Sequence, residues 1–225
     1  MRMQQLTERV WLFPKEDERD RPVLGYVRGD RWSLAVDAGH SDAHVEDFYH
    51  ALGEEGLPLP ELTVLTHWHW DHTFGLHAIQ GLSVANVLTN EHLRDYRDMI
   101  ERNGADVFLD QYESIRVEYA GNRPVKIVTS DLEFSGEMMF DAGGCRIRVF
   151  QADAPHTDDS TFIEVIDDGV LFIGDAILGD FPSGRKDRRL CWSLMDTIKS
   201  SDAHSCVFGH WGAMSKKEAL AGLGG

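Results

Sequence analysis

The chain has 225 residues, an apolar fraction of 42% and a formal net charge of −16. That length is enough to bury a large core in a single domain over residues 1–225, and a surface this acidic repels phosphate backbones and anionic lipid, so neither nucleic acid nor a membrane is an expected partner. No apolar run approaches the ~20 residues of a bilayer span, no signal core follows Met1 to Gln5, and the three cysteines (Cys145, Cys191, Cys206) are too few and too scattered for a disulfide framework, which together fit a cytoplasmic protein.

In chain order, residues 6–13 read as an opening strand and residues 15–22 as a charged loop. Residues 23–28 and 32–37 form a strand pair turning at Gly29-Asp30. Ser41 or Asp42 caps a helix whose apolar face is Val45, Phe48, Tyr49 and Leu52, with Gly53 and Gly56 ending it. A short buried strand over 62–65 runs into Thr66-His67-Trp68-His69-Trp70-Asp71-His72, and a helix opens at Thr73. The next helix starts at Thr89 or Asn90 and stops at Asn103-Gly104, followed by mixed helix and loop over 105–123. Strands are predicted at 126–129, 137–141, 145–153, 161–166 and 170–173, with a hairpin turn at Asp167-Asp168-Gly169. A helix over 190–200, a strand over 206–208 and a final helix behind the capping box of Ser215 and Glu218 complete the chain.

Two stretches share one plan. Residues 32–37 end in Asp37 and lead through a helix to a strand ending in His67-Trp68; residues 170–175 end in Asp175 and lead through a helix to a strand ending in His210-Trp211. Each is a βαβ unit that places Asp and His at strand carboxyl ends, where ligands bind in α/β architectures.

The dense stretch is where chemistry concentrates. Three imidazoles and a carboxylate lie between His67 and His72, and these are standard ligand types for zinc and iron. Extended backbone turns His67 and His69 the same way, while Asp71 and His72 continue round the turn toward a second position. Further donors stand at strand ends: His156, Asp175 and His210. Any one of them alone reads equally well as a cap or turn residue.

His67-x-His69-x-Asp71-His72, preceded by Asp37 and followed in order by His156, Asp175 and His210, resembles the metallo-β-lactamase superfamily of metal-dependent hydrolases, over nearly the whole chain. The resemblance implies an αβ/βα four-layer sandwich with two pseudo-symmetric halves and two metals at the edge between its sheets. It assigns His67, His69 and His156 to one metal, Asp71, His72 and His210 to the other, Asp175 to both, and Asp37 to orienting the ligand loop. Two divalent cations, zinc first and iron or manganese as alternatives, would share a hydroxide that attacks a small-molecule ester, thioester, lactone or related bond, with Asp71 and Asp175 taking part in catalysis. A mononuclear iron dioxygenase of the persulfide type, or a phosphodiesterase, is the alternative reading.

The chain departs from many relatives at His156-Thr157-Asp158-Asp159-Ser160, where a Pro-Gly pair is replaced by two carboxylates. Asp158 reads as a turn residue capping backbone amides; Asp159 is open. Trp68, Trp70 and Trp211 read as packing behind the site and His40 as a solvated loop residue; His44, His50, His77, His92 and His204 receive no chemical role. Residues 179–189 and 93–117 should border the cleft. In the former, Phe181 and Pro182 suit an apolar wall, and Arg185, Lys186 or Arg189 either binds a substrate carboxylate or phosphate or belongs to a solvated charge run.

Overall fold

The computed structural model describes residues 1–223. The first sheet is built from β1 (Gln4–Gln5), β2 (Val10–Phe13), β3 (Leu24–Arg28), β4 (Ser33–Val36), β5 (Leu62–Val64), β6 (Leu82–Asn86) and β7 (Leu132–Phe134), hydrogen-bonded in that order. The second holds β8 (Glu137–Asp141), β9 (Arg146–Gln151), β10 (Thr161–Val165), β11 (Val170–Phe172), β12 (Ser205–Phe208) and β13 (Gly212–Ser215), in the order β13 to β8. The helices are α1 (Asp42–Glu54), α2 (Trp70–Thr73), α3 (Val87–Asn103), α4 (Asp106–Leu109), α5 (Glu113–Glu118), α6 (Arg188–Ser200) and α7 (Lys216–Leu223).

Strand alternation makes the layers. In β4, Leu34 and Val36 face the second sheet, where they join Ile147, Val149, Ile163, Val165 and Phe172, while Ala35 faces outward with Leu24 and Tyr26 onto Phe48 and Leu52 of α1. In the second sheet, Leu171, Cys206 and Phe208 face outward onto Leu194 and Ile198 of α6 and Ala219 of α7. With helices on both outer faces, the sandwich buries its strands on two sides, which is why β3, β4, β10 and β11 carry so few exposed residues. Each fully buried aliphatic side chain of this kind contributes roughly 1.5–3 kcal/mol relative to exposure.

The repeated plan is realised as two parallel pairs. β4 pairs with β5 through α1, and β11 pairs with β12 through α6. Their carboxyl ends lie at the same edge of the sandwich and deliver Asp37, His67, Asp175 and His210 to it.

Several boundaries differ from expectation. Residues 6–9 are a turn between β1 and β2. α3 begins at Val87 because Asn86 Oδ1 accepts from Leu88 N at 2.9 Å, and Asn90, expected at the helix start, is instead buried against Ser130 and Glu133. Residues 126–129 form no strand: the edge beside β6 is taken by β7, and Ile127 turns into the helical cluster with Trp70, Phe108 and Tyr119. β13 is an addition to the expected strands; the Ser215–Glu218 capping box that follows it is present, with Glu218 Oε2 accepting from Ser215 N at 2.9 Å.

A buried ion pair ties α5 to the loop after β2. Arg21, 1% exposed, donates to both Glu118 carboxylate oxygens at 2.8 and 2.9 Å and to Asp47 at 2.8 Å. Ser41, the N-cap of α1, also donates to Glu118. Removing one partner of such a pair strands a buried charge and costs about 3–5 kcal/mol, whereas replacing both by apolar groups is close to neutral. Chemical denaturation should therefore show Arg21→Met destabilised by about that amount and the double variant Arg21→Met, Glu118→Leu recovering most of it; equal losses in the two would contradict the ion-pair account.

Candidate metal centre

The site starts from the turn after β5. Asp37, just beyond β4, has a left-handed backbone (φ 65) and is 3% exposed. Its Oδ1 accepts from Thr66 N at 2.7 Å, its carboxylate takes the Thr66 hydroxyl at 2.9–3.0 Å, and its Oδ2 accepts from His72 Nδ1 at 2.7 Å. Thr66 Oγ1, having given its proton to Asp37, accepts from His67 Nδ1 at 3.1 Å. One carboxylate, directly and through Thr66, thus orients two imidazoles and turns the Nε2 atoms of His67 and His72 away from it. Thr73 Oγ1 closes the turn by donating to the carbonyls of Trp68 and His69 at 3.0 and 2.9 Å.

Two donor clusters result. His67, His69 and His156 form one; Asp71, His72, Asp175 and His210 form the other; within each, the donor atoms all lie within 4.8 Å of one another. In the first, His69 Nδ1 lies 3.2 Å from His67 Nε2 and 3.0 Å from His156 Nε2. His156 Nδ1 donates to the Gly179 carbonyl at 2.9 Å, which leaves its Nε2 as an acceptor. In the second, Asp71 Oδ2 lies 3.3 Å from His72 Nε2 and 3.0 Å from His210 Nε2. Asp175 Oδ2 lies 3.2 Å from His210 Nε2 and 3.9 Å from His156 Nε2, so this carboxylate reaches both clusters.

Close approach of two strand ends depends on glycine. A Cβ on Gly209 would stand 2.3 Å from Asp175 Oδ1, and one on Gly174 (φ 51) would stand 2.7 Å from Thr66 Oγ1.

The electrostatics divide along the same line. Burial, followed by the neighbouring imidazoles, holds His67 well below the usual histidine range, and burial with His156 brings His69 down to about 3. In the second cluster burial opposes charge, yet the carboxylates win: Asp71, Asp37 and Asp175 hold His72 well above the usual range, and hydrogen bonds to Asp175 and Asp71 raise His210 to about 10. Asp71 and Asp175 stay well below the usual carboxylate range despite burial, because His72 and His210 face them.

This donor chemistry fits cations. A single proton on His69 Nδ1 cannot serve both of its imidazole contacts, so the first cluster brings together more acceptors than donors. His72 Nε2 and Asp175 Oδ1 are buried and lack a hydrogen-bond partner, and buried polar atoms left bare are costly unless an ion satisfies them.

A cleft of about 440 Å³ opens onto both clusters, with His69, Asp71, His156, Asp175 and His210 in its lining. Phe181, expected as an apolar wall, lies edge-on to His69 and Trp70, with ring centroids 5.2 and 5.1 Å apart. Tyr112 and Ser114, within the stretch expected to border the cleft, also line it. Trp70 is 5% exposed and packs against Phe108, yet it is part of the cleft wall rather than only packing behind it. Trp211, also read as packing, is 51% exposed at the same cleft.

Arg185 and Arg189 do not line the cleft. Arg185 borders a neighbouring depression, which shares His156 with the cleft, together with Asp158, Asp180 and Asp187, and Arg189 is solvated beside Asp187 at 3.7 Å. His40 is no solvated residue: it is fully buried, donates Nδ1–H to the Arg19 carbonyl at 2.9 Å and lies edge-on to Tyr119. Asp158 pairs with His92 at 2.7 Å instead of capping amides, and Asp159 is buried, accepting from Thr89 at 2.7 Å, with burial raising its carboxyl. Sequence reasoning missed Asp17, Asp20 and Leu178 in the cleft lining; in the sequence, the two aspartates are only part of a charged loop.

The sequence model of the metallo-beta-lactamase superfamily matches residues 19–210, and the chain belongs to that superfamily. No curated protein matches it. Among solved structures, it is similar to a metallo-beta-lactamase from Pontibacter korlensis, at 17% identity with 99% of this chain and 98% of that one covered and a TM-score of 0.67. It is also similar to an archaeal metallo-beta-lactamase superfamily protein from Sulfolobus tokodaii (22% identity, 94% and 84% covered, TM-score 0.66). A metallo-beta-lactamase family protein from Thermus thermophilus is comparable (18% identity, 96% and 80% covered, TM-score 0.65). At these identities the likeness is one of fold, and it bears out the expected αβ/βα sandwich.

Asp37 neither lines the cleft nor belongs to either donor cluster, so its replacement separates orientation from ligation. Asp37→Ala should lower divalent-metal affinity by roughly 10–100-fold, measured by competition with a chromogenic chelator; unchanged affinity would contradict the orienting role.

Proposed function

We propose that the chain is a dinuclear metal-dependent hydrolase acting on a small molecule through an ester, thioester, lactone or related bond. The observation that carries this reading is the pair of adjacent buried donor clusters with Asp175 reaching both. His67, His69 and His156 would hold one divalent ion, Asp71, His72 and His210 the other, and Asp175 would link them. Two such ions, zinc first by donor type with iron or manganese accepting the same ligands, supply a water ionised near neutral pH and a Lewis acid for the oxygen that gains charge.

The chain's own groups do the rest. Asp37 and Thr66 hold His67 and His72 in the tautomers that present Nε2. Asp71, a buried carboxylate whose Oδ2 meets His72 and His210, would relay a proton toward the leaving group. Trp70, Tyr112, Phe181 and Leu178 form an apolar wall for the organic part of the substrate and keep bulk water from it. No Arg or Lys lines the cleft among the described residues, which weighs against phosphodiester substrates.

Exhaustive chelation should abolish hydrolysis of an ester, thioester and lactone panel and lower the melting temperature, with both restored by added metal. Because His72 and His210 hold protons above neutrality in the metal-free protein, metal must displace them, so apparent affinity should fall about tenfold or more for each unit of pH decrease below neutrality. A melting temperature indifferent to chelator, or an affinity flat with pH, would contradict the assignment.

A further inference from the structure

The rim of the cleft carries a carboxylate that the metal centre does not use. Asp20 lies at the cleft with the centre's ligands. It is flanked in sequence by Arg19 and Arg21, yet both turn away from it. Arg19 Nε lies 3.5 Å from Glu16 and Arg21 is committed to Glu118 and Asp47. The ion-pair contact Asp20 does make is with His210 Nδ1 at 3.8 Å, too long for a hydrogen bond. Asp17, the other rim carboxylate, is paired with Lys15.

Asp20 is also held in an unusual conformation. Its backbone is left-handed (φ 52, ψ 41), which is uncommon outside glycine. The flanking Glu16–Arg21 bridge and the Val23 N to Gly209 O bond at 2.7 Å pin the loop against the strand end that carries His210. Backbone held in a sparse region by its surroundings clusters at ligand sites. The same cleft is lined by four aromatic rings, Trp70, Tyr112, Phe181 and Trp211, and the Trp70 indole nitrogen is buried without a hydrogen-bond partner.

We infer that this site selects substrates whose organic part carries a positive charge, an ammonium group on an apolar body, and that Asp20 with the aromatic wall is the selecting element. A cation in the cleft gains the Asp20 carboxylate and the neighbouring aromatic rings. A substrate bearing a carboxylate or phosphate in that position meets Asp20 with like charge and finds no Arg or Lys among the described residues of the lining. The net charge of −16 draws cations toward the molecule as a whole. The inference rests on the hydrolase reading for where the reacting bond sits; the charge preference is a property of the cleft itself.

The test uses the full chain loaded with metal and three p-nitrophenyl esters of matched size, with acyl chains ending in trimethylammonium, tert-butyl or carboxylate. The expected order of kcat/KM is cationic, neutral, anionic, with about tenfold between the first two at low salt. Asp20→Asn should remove most of the cationic-to-neutral ratio and Asp20→Glu should keep it. Equal kcat/KM across the series, a preference for the carboxylate, or an unchanged ratio in Asp20→Asn would overturn the inference while leaving the hydrolase reading in place. If no ester is turned over, the hydrolase reading is decided on the thioester and lactone panel, and calorimetry with phenyltrimethylammonium decides the inference separately. Saturable binding weakened by Asp20→Asn supports it, and absence of binding overturns it.

Discussion

Two carboxylates buried among histidines are the constraint on which the rest depends. Asp71 and Asp175 are 4% and 5% exposed, and their oxygens lie 3.0–3.9 Å from imidazole nitrogens. An isolated buried carboxylate is costly in proportion to its desolvation. Here the charge is met by His72 and His210, at the expense of holding both protonated, or by cations at the same positions. The neighbouring cluster cannot help, since burial keeps His67 and His69 neutral. A nitrogen triad beside two carboxylates and two further imidazoles suits cations better than one proton network, because lone pairs converge on the first position and unpartnered atoms remain at the second.

The sandwich supplies this arrangement by using one device twice. A parallel strand pair joined by a helix brings two strand ends side by side, and each half contributes an aspartate and a histidine there. The halves are not equivalent. Asp37 lies behind the site, in a left-handed conformation, and spends its oxygens on Thr66 and His72. Asp175, its counterpart, lies between the clusters. Gly209 makes the junction possible, because any side chain there would displace Asp175 or His72. One buried carboxylate orients imidazoles from behind and the other reaches both clusters, although their positions in the repeat are the same.

Much of this is readable from the chain because the relevant geometry is local or repeated. His67 to His72 are neighbours on a turn whose direction follows from a strand ending at Val64, and Asp37, Asp175 and His210 each end an apolar strand. What the sequence hides is contact over long separation. Asp20 enters the cleft only because Val23 bonds to Gly209 and because Arg21 is drawn 97 residues along the chain to Glu118. His40 is buried only because Tyr119 and the Arg19 carbonyl close over it. The two readings open for Arg185 and Arg189 have the same origin: a basic run near a cleft-bordering segment says nothing of which way it turns, and here Arg185 lies with Asp158, Asp180 and Asp187 in a neighbouring depression. The misplaced strand over 126–129 reflects competition for one sheet edge, which β7 wins through its register with β6.

The central claim is that the two clusters are two metal positions sharing Asp175. Element-specific analysis of the full chain, purified without added metal and then dialysed with one metal at a time, tests it most directly when run beside Asp175→Ala. The account predicts two divalent ions per chain in the parent and loss from both positions in the variant. One ion per chain in the parent, or two retained in Asp175→Ala, would contradict it.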